Sequence, residues 1–149
     1  MASPACFEEV AFFSLQEDPV FSIVAVPGGG FATGHHPVIR LWSGEGVLEA
    51  TLEGHTSAVP ALTCGASGDI VSCSYDKAVK VWRDHTCVLA CVGHTLAVFC
   101  VAVSLVDGSI VSGSADNTAK VCSSTGECVA TLKGHTDWVR GLCVLENGE

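Results

Sequence analysis

The stretch GHTSAVPALTCGASGDIVSCSYDKAVKVW, residues 54–82, decides the fold. It opens on Gly54-His55, and it ends with an aspartate and a tryptophan spaced six residues apart, Asp76 and Trp82. The Gly-His pair returns twice further along the chain, at Gly93-His94 and Gly134-His135. The unit therefore repeats about every 40 residues, which indicates a structural module rather than a single site.

The second signature of the unit repeats at the same interval. Asp116 follows Asp76 by 40 residues, and Cys122 stands six residues later where a Trp is expected. Upstream, Trp42 precedes Trp82 by 40 residues. A period of about 40 residues that carries Gly-His and Asp-x5-Trp is typical of a β-propeller, which is built from four-stranded blades. We therefore predict an all-β fold.

Short apolar runs, many of them β-branched or alternating, predict the strands of these blades between turn residues. The predicted strands are 10–15, 21–26, 39–42, 47–52, 59–62, 70–74, 79–82, 87–92, 98–103, 110–114, 119–121, 128–132 and 139–145. The glycine-rich stretch 27–30 is interpreted as a hairpin, since neither a Gly-Lys-Ser/Thr phosphate motif nor a helix follows it.

The predicted propeller is incomplete. Its blades lie at approximately 10–52, 55–92 and 94–132, and 135–149 begins another. The first is degenerate, because Leu15 or Gln16 stands in place of Gly-His and His36 stands in place of the aspartate. About three four-stranded blades plus a strand at each end do not close a ring. We therefore expect a propeller fragment that missing blades or another chain completes.

Composition and charge exclude several functional classes. The formal net charge is −9, and the seven Lys and Arg form no basic stripe, which disfavours nucleic-acid binding. The first 13 residues carry Glu8 and Glu9 but no Lys or Arg, which disfavours a signal peptide. No apolar run is long enough to span a membrane. The nine cysteines are interpreted as reduced intracellular thiols, and we expect a protein of the cytoplasm that is also found in the nucleus.

These motifs resemble the WD40-repeat family. In that family the His of Gly-His, a strand Ser or Thr, the turn Asp and the Trp form a hydrogen-bonded structural tetrad. The resemblance implies one tetrad made of His55, Ser72 or Ser74, Asp76 and Trp82. It implies a second made of His94, Ser112 or Ser114, and Asp116. Cys122 replaces the Trp there and removes the indole donor, so we expect the second tetrad to be weaker.

Ser, His and Asp together also suggest the triad of a hydrolase. The repeat argues against this interpretation, because a catalytic site is seldom copied once per blade, whereas a structural clamp must be. The chain also lacks a Gly-x-Ser-x-Gly nucleophile elbow. We therefore predict no catalytic residue, no enzyme activity and no cofactor.

The cysteines do not match a metal-binding pattern. No Cys-x-x-Cys pair is present, and the Cα atoms of Cys87 and Cys91 on one strand would be roughly 13 Å apart, too far for one ion. Six others are interpreted as buried small apolar side chains: Cys64, Cys73, Cys100, Cys122, Cys128 and Cys143. We predict no bound metal.

The WD40 resemblance also implies where a protein partner binds. In such propellers the rim at the Gly-His end presents the residues just after Gly-His and just before the tetrad Asp. Here these residues are Ser57, Ala58, Tyr75, Leu96, Ala97, Ala115, Asp137 and Trp138. Tyr75 and Trp138 stand out, because aromatic side chains dominate binding hot spots. We expect Tyr75 to be exposed, whereas Trp138 is either exposed or packed into a neighbouring blade.

One blade narrows the resemblance further. The run Gly134-His135-Thr136-Asp137-Trp138-Val139-Arg140-Gly141-Leu142 resembles a blade of the phospholipase A2-activating protein family. That family's propeller is not a phospholipase: it binds ubiquitin and belongs to an adaptor of ubiquitin-dependent protein catabolism. The resemblance implies a ubiquitin-binding scaffold. The alternative is a WD40 scaffold of another family, such as a substrate receptor of a ubiquitin ligase or a signalling platform.

Overall fold

The computed structural model describes residues 18–145, which form twelve β-strands in three four-stranded antiparallel sheets. Blade 1 contains β1 (Ser22–Val26), β2 (Gly30–Gly34), β3 (Ile39–Trp42) and β4 (Leu48–Leu52). Blade 2 contains β5 (Ala61–Cys64), β6 (Ile70–Cys73), β7 (Val79–Arg83) and β8 (Thr86–Cys91). Blade 3 contains β9 (Val98–Val103), β10 (Ile110–Ser114), β11 (Ala119–Cys122) and β12 (Cys128–Leu132). The predicted all-β class of propeller blades is thereby confirmed.

The strands of each blade pair in the order in which they follow along the chain. The first strands β1, β5 and β9 contact one another in turn, so the three sheets stand side by side with these strands innermost. Within residues 18–145 no helix is long and apolar enough to cross a membrane.

The core lies between neighbouring blades rather than within any one of them. Between blades 1 and 2 it consists of Ala32, Ile39, Leu52, Val59, Ile70 and Trp82. Between blades 2 and 3 it consists of Val71, Cys73, Val79, Val81, Cys91, Val98, Ile110 and Cys122. Burying a large apolar side chain contributes roughly 1.5–3 kcal/mol, so each blade depends on its neighbour for stability.

Three backbone hydrogen bonds join the blades at the Gly-His end. Val59 N donates to His35 O (2.9 Å) and Val98 N donates to Ser74 O (3.1 Å). In the same way Val139 N donates to Ser114 O (3.1 Å), so the chain beyond blade 3 is tied to that blade. These bonds hold the loops that follow each Gly-His pair in a fixed position above the sheets.

Several predicted strand boundaries were wrong. The sequence did not predict β2, whose run Gly-Phe-Ala-Thr-Gly has glycine at both ends and only two residues that favour strands, Phe31 and Thr33. Its ladders with β1 and β3 hold it extended. In blade 2, β5 begins at Ala61 rather than at Val59, because Val59 N bonds to blade 1 and Pro60 has no N–H to donate.

The predicted strands at the two ends of the chain have different outcomes. The strand predicted at 10–15 lies outside the described residues. The strand predicted at 139–145 is wrong, because these residues form no ladder. Each inner strand of blades 1–3 pairs with the second strand of its own blade, and residues 139–145 have no such partner in the described part of the chain.

The cysteines are less uniformly buried than predicted. Cys73, Cys91, Cys100 and Cys122 are buried, but Cys128 and Cys143 are exposed. Cys128 opens an outer strand, and Cys143 lies beyond the last sheet, so neither is covered on both sides. Among residues 18–145, no group of three His, Cys, Asp or Glu side chains is arranged to hold a metal ion.

Candidate functional site

A chain of three side-chain hydrogen bonds runs through the Gly-His end of blade 2. Trp82 Nε1 donates to Ser72 Oγ (2.8 Å), and Ser72 Oγ lies 2.8 Å from His55 Nε2. His55 Nδ1 lies 2.7 Å from Asp76 Oδ2. Because a carboxylate only accepts, Nδ1 carries the proton, Nε2 accepts from the Ser72 hydroxyl, and every donor in the chain is used.

Asp76 also fixes the backbone around it. Its carboxylate accepts from Thr56 N (3.0 Å), next to the Gly-His pair, and from Ala78 N (3.0 Å), across its own turn. One side chain therefore joins the loop after β4 to the turn between β6 and β7. The sequence left Ser72 and Ser74 as alternatives for the serine of this set, and the structure places Ser72 in it.

The atoms of Ser72, His55 and Asp76 are spaced like those of a serine hydrolase triad, but the serine is inaccessible. Ser72 is 0% exposed, and its oxygen already accepts the indole N–H of Trp82. A nucleophile has to reach a substrate carbonyl, and no substrate reaches this oxygen. The arrangement therefore acts as a clamp between strands.

Blade 3 contains the same arrangement without its last member. His94 Nδ1 lies 2.8 Å from Asp116 Oδ2, and His94 Nε2 lies 3.0 Å from Ser112 Oγ. Cys122 supplies no indole donor to Ser112. The space beside Gly93 that the Trp82 ring fills beside Gly54 is lined instead by the aliphatic stem of Lys120.

Blade 1 builds a related set in which only the histidine comes from a different position. Trp42 Nε1 donates to Thr33 Oγ1 (2.7 Å), which lies 2.8 Å from His35 Nε2. The sequence singled out His36, but that residue is exposed and the buried histidine is its neighbour. Burial lowers the pKa of His35 below 6.5 and, with the charge of Arg40, outweighs the opposing effects of Asp18 and the Pro19 carbonyl. The buried Nδ1 has no hydrogen-bond partner within the described residues.

Burial and hydrogen bonding move the pKa values of this network in opposite ways. Burial lowers the pKa of His55 below 6.5 and outweighs the opposing effect of Asp76, which agrees with a neutral ring. For Asp76, burial raises the pKa, but the bonds from Thr56 N, His55 and Ala78 N outweigh it and leave the pKa below 3.8. The pKa of Asp116 is also lowered, by hydrogen bonds that outweigh its burial.

These shifts predict acid sensitivity in two stages. His55 has its lower pKa in the folded state, so its contribution is complete above about pH 6.5 and declines as the pH falls towards the folded value. Asp76 and Asp116 contribute fully above their unfolded pKa of 3.8 and lose that contribution as the pH falls through their lower folded values. We expect the urea midpoint to fall modestly between about pH 6.5 and 4 and more steeply below about pH 4. Equal urea midpoints above about pH 6.5 and below about pH 4 would contradict this prediction.

Ser74 and Ser114 support the loops at this end. Ser74 Oγ donates to Ser57 O (3.2 Å) and accepts from Asp76 N (3.1 Å). Ser114 Oγ donates in the same way to the loop before β9, at Ala97 O (2.9 Å). Ala58, predicted on the rim, is buried, and its carbonyl accepts from Tyr75 N (3.0 Å), so its side chain is not available to a partner.

Three aromatic side chains meet above this framework. Tyr75 meets Phe99 edge to face, with ring centroids 5.4 Å apart. Phe99 stacks on Trp138, with centroids 5.1 Å apart and an interplanar angle of 23°. Tyr75 and Trp138 are 40% and 47% exposed. Tyr75 comes from blade 2, Phe99 from blade 3 and Trp138 from the segment after blade 3, so the cluster spans three successive units. Both Tyr75 and Trp138 are exposed, and Trp138 packs on a ring of the described chain.

Arg140 completes the cluster. Its guanidinium carbon lies 4.6 Å from the centre of the Trp138 ring and 5.5 Å from that of Phe99. No carboxylate within residues 18–145 pairs with it. We call Tyr75, Phe99, Trp138 and Arg140 the aromatic cluster. Arg140 brings a cation with free N–H donors to an otherwise apolar patch.

Sequence reasoning missed Phe99 and Arg140. Both stand five residues after the His of their repeat, where the first full repeat has Pro60. The residue at this position differs in all three repeats, and that difference could have marked it as a candidate binding position. The remaining predicted rim residues surround the cluster: Leu96 and Asp137 are exposed, while Ser57, Ala97 and Ala115 are half-buried. His135 is exposed and has no hydrogen-bond partner among the described residues.

The sequence repeat corresponds to a known family. The repeat of the family described as "WD domain, G-beta repeat" matches residues 46–83, 85–123 and 126–149, which together cover most of the chain. The chain belongs to this WD-repeat family. Each matched WD repeat starts just ahead of an outer strand, β4, β8 or β12, and the first two run on through the inner three strands of the next blade.

Curated relatives of this WD-repeat chain fall into two groups by name. It is 35% identical over 121 residues to nuclear distribution protein nudF 1 of Talaromyces marneffei (74% of this chain, 26% of the relative). It is 36% identical over 146 residues to nuclear distribution protein PAC1 of Arthroderma otae (87% and 30%). It is 32% identical over 105 residues to ubiquitin homeostasis protein lub1 of Schizosaccharomyces pombe (70% and 14%). The chain thus spans less than a third of each relative's length.

Proposed function

We propose that the chain is a protein-interaction scaffold whose binding surface is the aromatic cluster together with the exposed Leu96. One observation carries this proposal: residues from three successive units converge on a single patch above the buried clamps. Aromatic side chains and Arg are the residue types in which binding energy concentrates. The burial of Ser72 supports binding, rather than catalysis, as the role of this WD-repeat chain.

We propose ubiquitin as the partner and ubiquitin-dependent protein catabolism as the process. One finding supports this partner: a relative is named a ubiquitin homeostasis protein. It agrees with the expectation, from the sequence of residues 134–142, of a blade like those of the phospholipase A2-activating protein family. Phe99, Trp138 and Leu96 offer apolar contact area, and Arg140 offers a donor to a carbonyl or carboxylate at its edge. The proposal includes a location in the cytoplasm and the nucleus.

A second candidate is a WD-repeat scaffold that acts elsewhere, as a ligase substrate receptor or a signalling platform. The names of several relatives add nuclear distribution to these alternatives, and these relatives match up to 87% of the chain. The aromatic cluster would then bind a different protein.

The proposal predicts a strong effect of Trp138→Ala on ubiquitin binding. NMR titration of isotope-labelled ubiquitin with the full chain is expected to shift a contiguous set of ubiquitin signals. Trp138→Ala should weaken the affinity about 30-fold, since loss of a hot-spot residue costs about 2 kcal/mol. Because the side chain is half exposed, the urea midpoint should hardly change.

Val106→Ala is the matched control. Val106 is exposed and lies in the loop between β9 and β10, at the end of the blade opposite the Gly-His loops. Its replacement should leave the ubiquitin shifts unchanged. Absence of any shift with the wild-type chain at about 1 mM would rule ubiquitin out as the partner. Equal binding by the wild type and Trp138→Ala would rule out the aromatic cluster as the surface.

A further inference from the structure

Three cysteine side chains converge where blade 3 meets blade 2. Cys91, the last residue of β8, and Cys122, the last residue of β11, are both buried in the core between the blades. Cys128, the first residue of β12, is exposed and pairs directly with Cys122 across the strands. Burial, together with the nearby Cys91 and Cys128 thiols, raises the pKa of the Cys122 thiol to about 12.

The corresponding place in blade 2 is built differently. There Trp82 pairs with Cys87 across β7 and β8, and the Trp82 ring packs in a core that contains Leu52 of blade 1. The substitution of Cys122 for this Trp thus puts a thiol opposite a thiol at one position of the described sheets. The strand register shifts between Val121 and Cys122, so Cys122 pairs with Cys128 rather than with Val129.

We propose that Cys122 and Cys128 form a reversible disulfide when the chain meets a peroxide. Residues directly opposite each other in an antiparallel pair have Cα atoms about 4.5–5.5 Å apart, and disulfides need about 4.4–6.8 Å. The pairing of Cys122 with Cys128 at the irregularity of this ladder therefore puts the two Cα atoms within range. The Cys128 thiol, which contacts Ala130 O (3.6 Å), rotates towards Cys122 to form the bond. Exposure selects Cys128 as the first thiol to react, and its neighbour Cys122 resolves the product.

The chemistry balances with hydrogen peroxide as the oxidant. The Cys128 thiolate attacks one peroxide oxygen, the O–O bond breaks, and with one proton the products are a sulfenic acid and water. Cys122 sulfur then attacks the sulfenic sulfur, loses its proton and displaces hydroxide, which leaves as water. Two thiols are oxidised by two electrons, one peroxide is reduced, and two waters form. Burial of the Cys122 thiol makes the second step slow, so disulfide formation should accelerate as the pH rises.

The positions of the lysines allow a direct test on the full chain. Cleavage after Lys120 and Lys133 releases residues 121–133, which contain both Cys122 and Cys128. The reduced chain is treated with graded hydrogen peroxide, its free thiols are alkylated under denaturing conditions, and the tryptic peptides are weighed. Peptide 121–133 should lose two hydrogen atoms and both alkyl groups, and dithiothreitol should restore them. The oxidised chain should lose two of its nine thiols.

Two exposed-cysteine variants give the comparison. Cys128→Ser should prevent disulfide formation in peptide 121–133. Cys87→Ser, at the matching position of blade 2, should not affect disulfide formation in that peptide. Three outcomes would each overturn the proposal: over-oxidation of Cys128 while Cys122 remains free, a cross-link that joins Cys122 to the peptide containing Cys91, or a Cys128 disulfide between two chains.

Discussion

Trp82→Ala lowers the free energy of unfolding by about 3–5 kcal/mol, the largest single effect that we expect in this chain. Trp82 is 3% exposed and belongs to the core between blades 1 and 2, where it meets residues such as Ile39 and Leu52. Its removal leaves a cavity at that junction and also takes the indole donor away from Ser72. Both losses fall on the contact by which the two blades stabilise each other.

Urea unfolding followed by far-ultraviolet circular dichroism measures this effect. Trp138→Ala is the matched control, because it removes the same side chain from the surface and should shift the midpoint little. Trp82→Phe keeps an aromatic ring but no N–H, and it should lie between Trp82→Ala and the wild type. If Trp82→Ala and Trp138→Ala unfold at the same urea concentration, the core assigned to blades 1 and 2 is incorrect.

Asp76→Ala lowers the free energy of unfolding by about 1–3 kcal/mol, because it leaves buried donors without an acceptor. The donors are His55 Nδ1–H, Thr56 N–H and Ala78 N–H. The carboxylate joins two loops, so amide hydrogen exchange at Thr56 and Ala78 should accelerate more than exchange in β9. Thermal unfolding of the variant and the wild type at neutral pH measures the loss.

The pH dependence separates this clamp from a general packing defect. The wild type loses the contribution of Asp76 as the pH falls below about 3.8, whereas Asp76→Ala has already lost it, so the two stability curves should converge in acid. Glu53→Ala is a suitable control, since Glu53 is exposed and has no hydrogen-bond or ion-pair partner in the described part of the chain. Exposed substitutions of this kind change stability little, and this variant should stay near the wild type at neutral pH. Parallel curves for Asp76→Ala and the wild type would contradict the assigned role of the carboxylate.

The sequence specified the strands that carry their own pattern and missed those held by neighbours. Ile39–Trp42, Val98–Val103, Ile110–Ser114 and Cys128–Leu132 match the predicted bounds, because alternation and turn residues mark both ends. The strand Gly30–Gly34 has no such pattern, and only its two ladders reveal it. Pro60 shortened a predicted strand for a local reason, the missing N–H, that the sequence displays.

The candidate surface was predictable in part for a similar reason. Repeat spacing led to Tyr75 and Trp138, since both occupy loop positions next to the Gly-His and Asp signatures. Phe99 lies within β9, and Arg140 lies within the stretch 139–145 that the sequence predicted as a strand, so both were assigned to strands rather than to the rim. Their side chains meet Tyr75 and Trp138 only because adjacent blades bring the loops of different repeats together, and one repeat read alone does not contain that information.

The repeated sequence unit and the four-stranded blade of this chain are offset from each other by one strand. Residues 46–83 contain β4, which completes blade 1, and β5 to β7, which begin blade 2. A duplication of one such unit therefore delivers a new blade already joined by main-chain hydrogen bonds to the preceding one, with no loose strand between them. A cut at the Gly-His loops leaves whole sheets, whereas a cut at a repeat boundary separates the outer strand of one blade from its other three strands. Truncations of this chain at Gly54 or Gly93 should accordingly keep every remaining sheet four-stranded, whereas truncations at residues 46 or 85 should not.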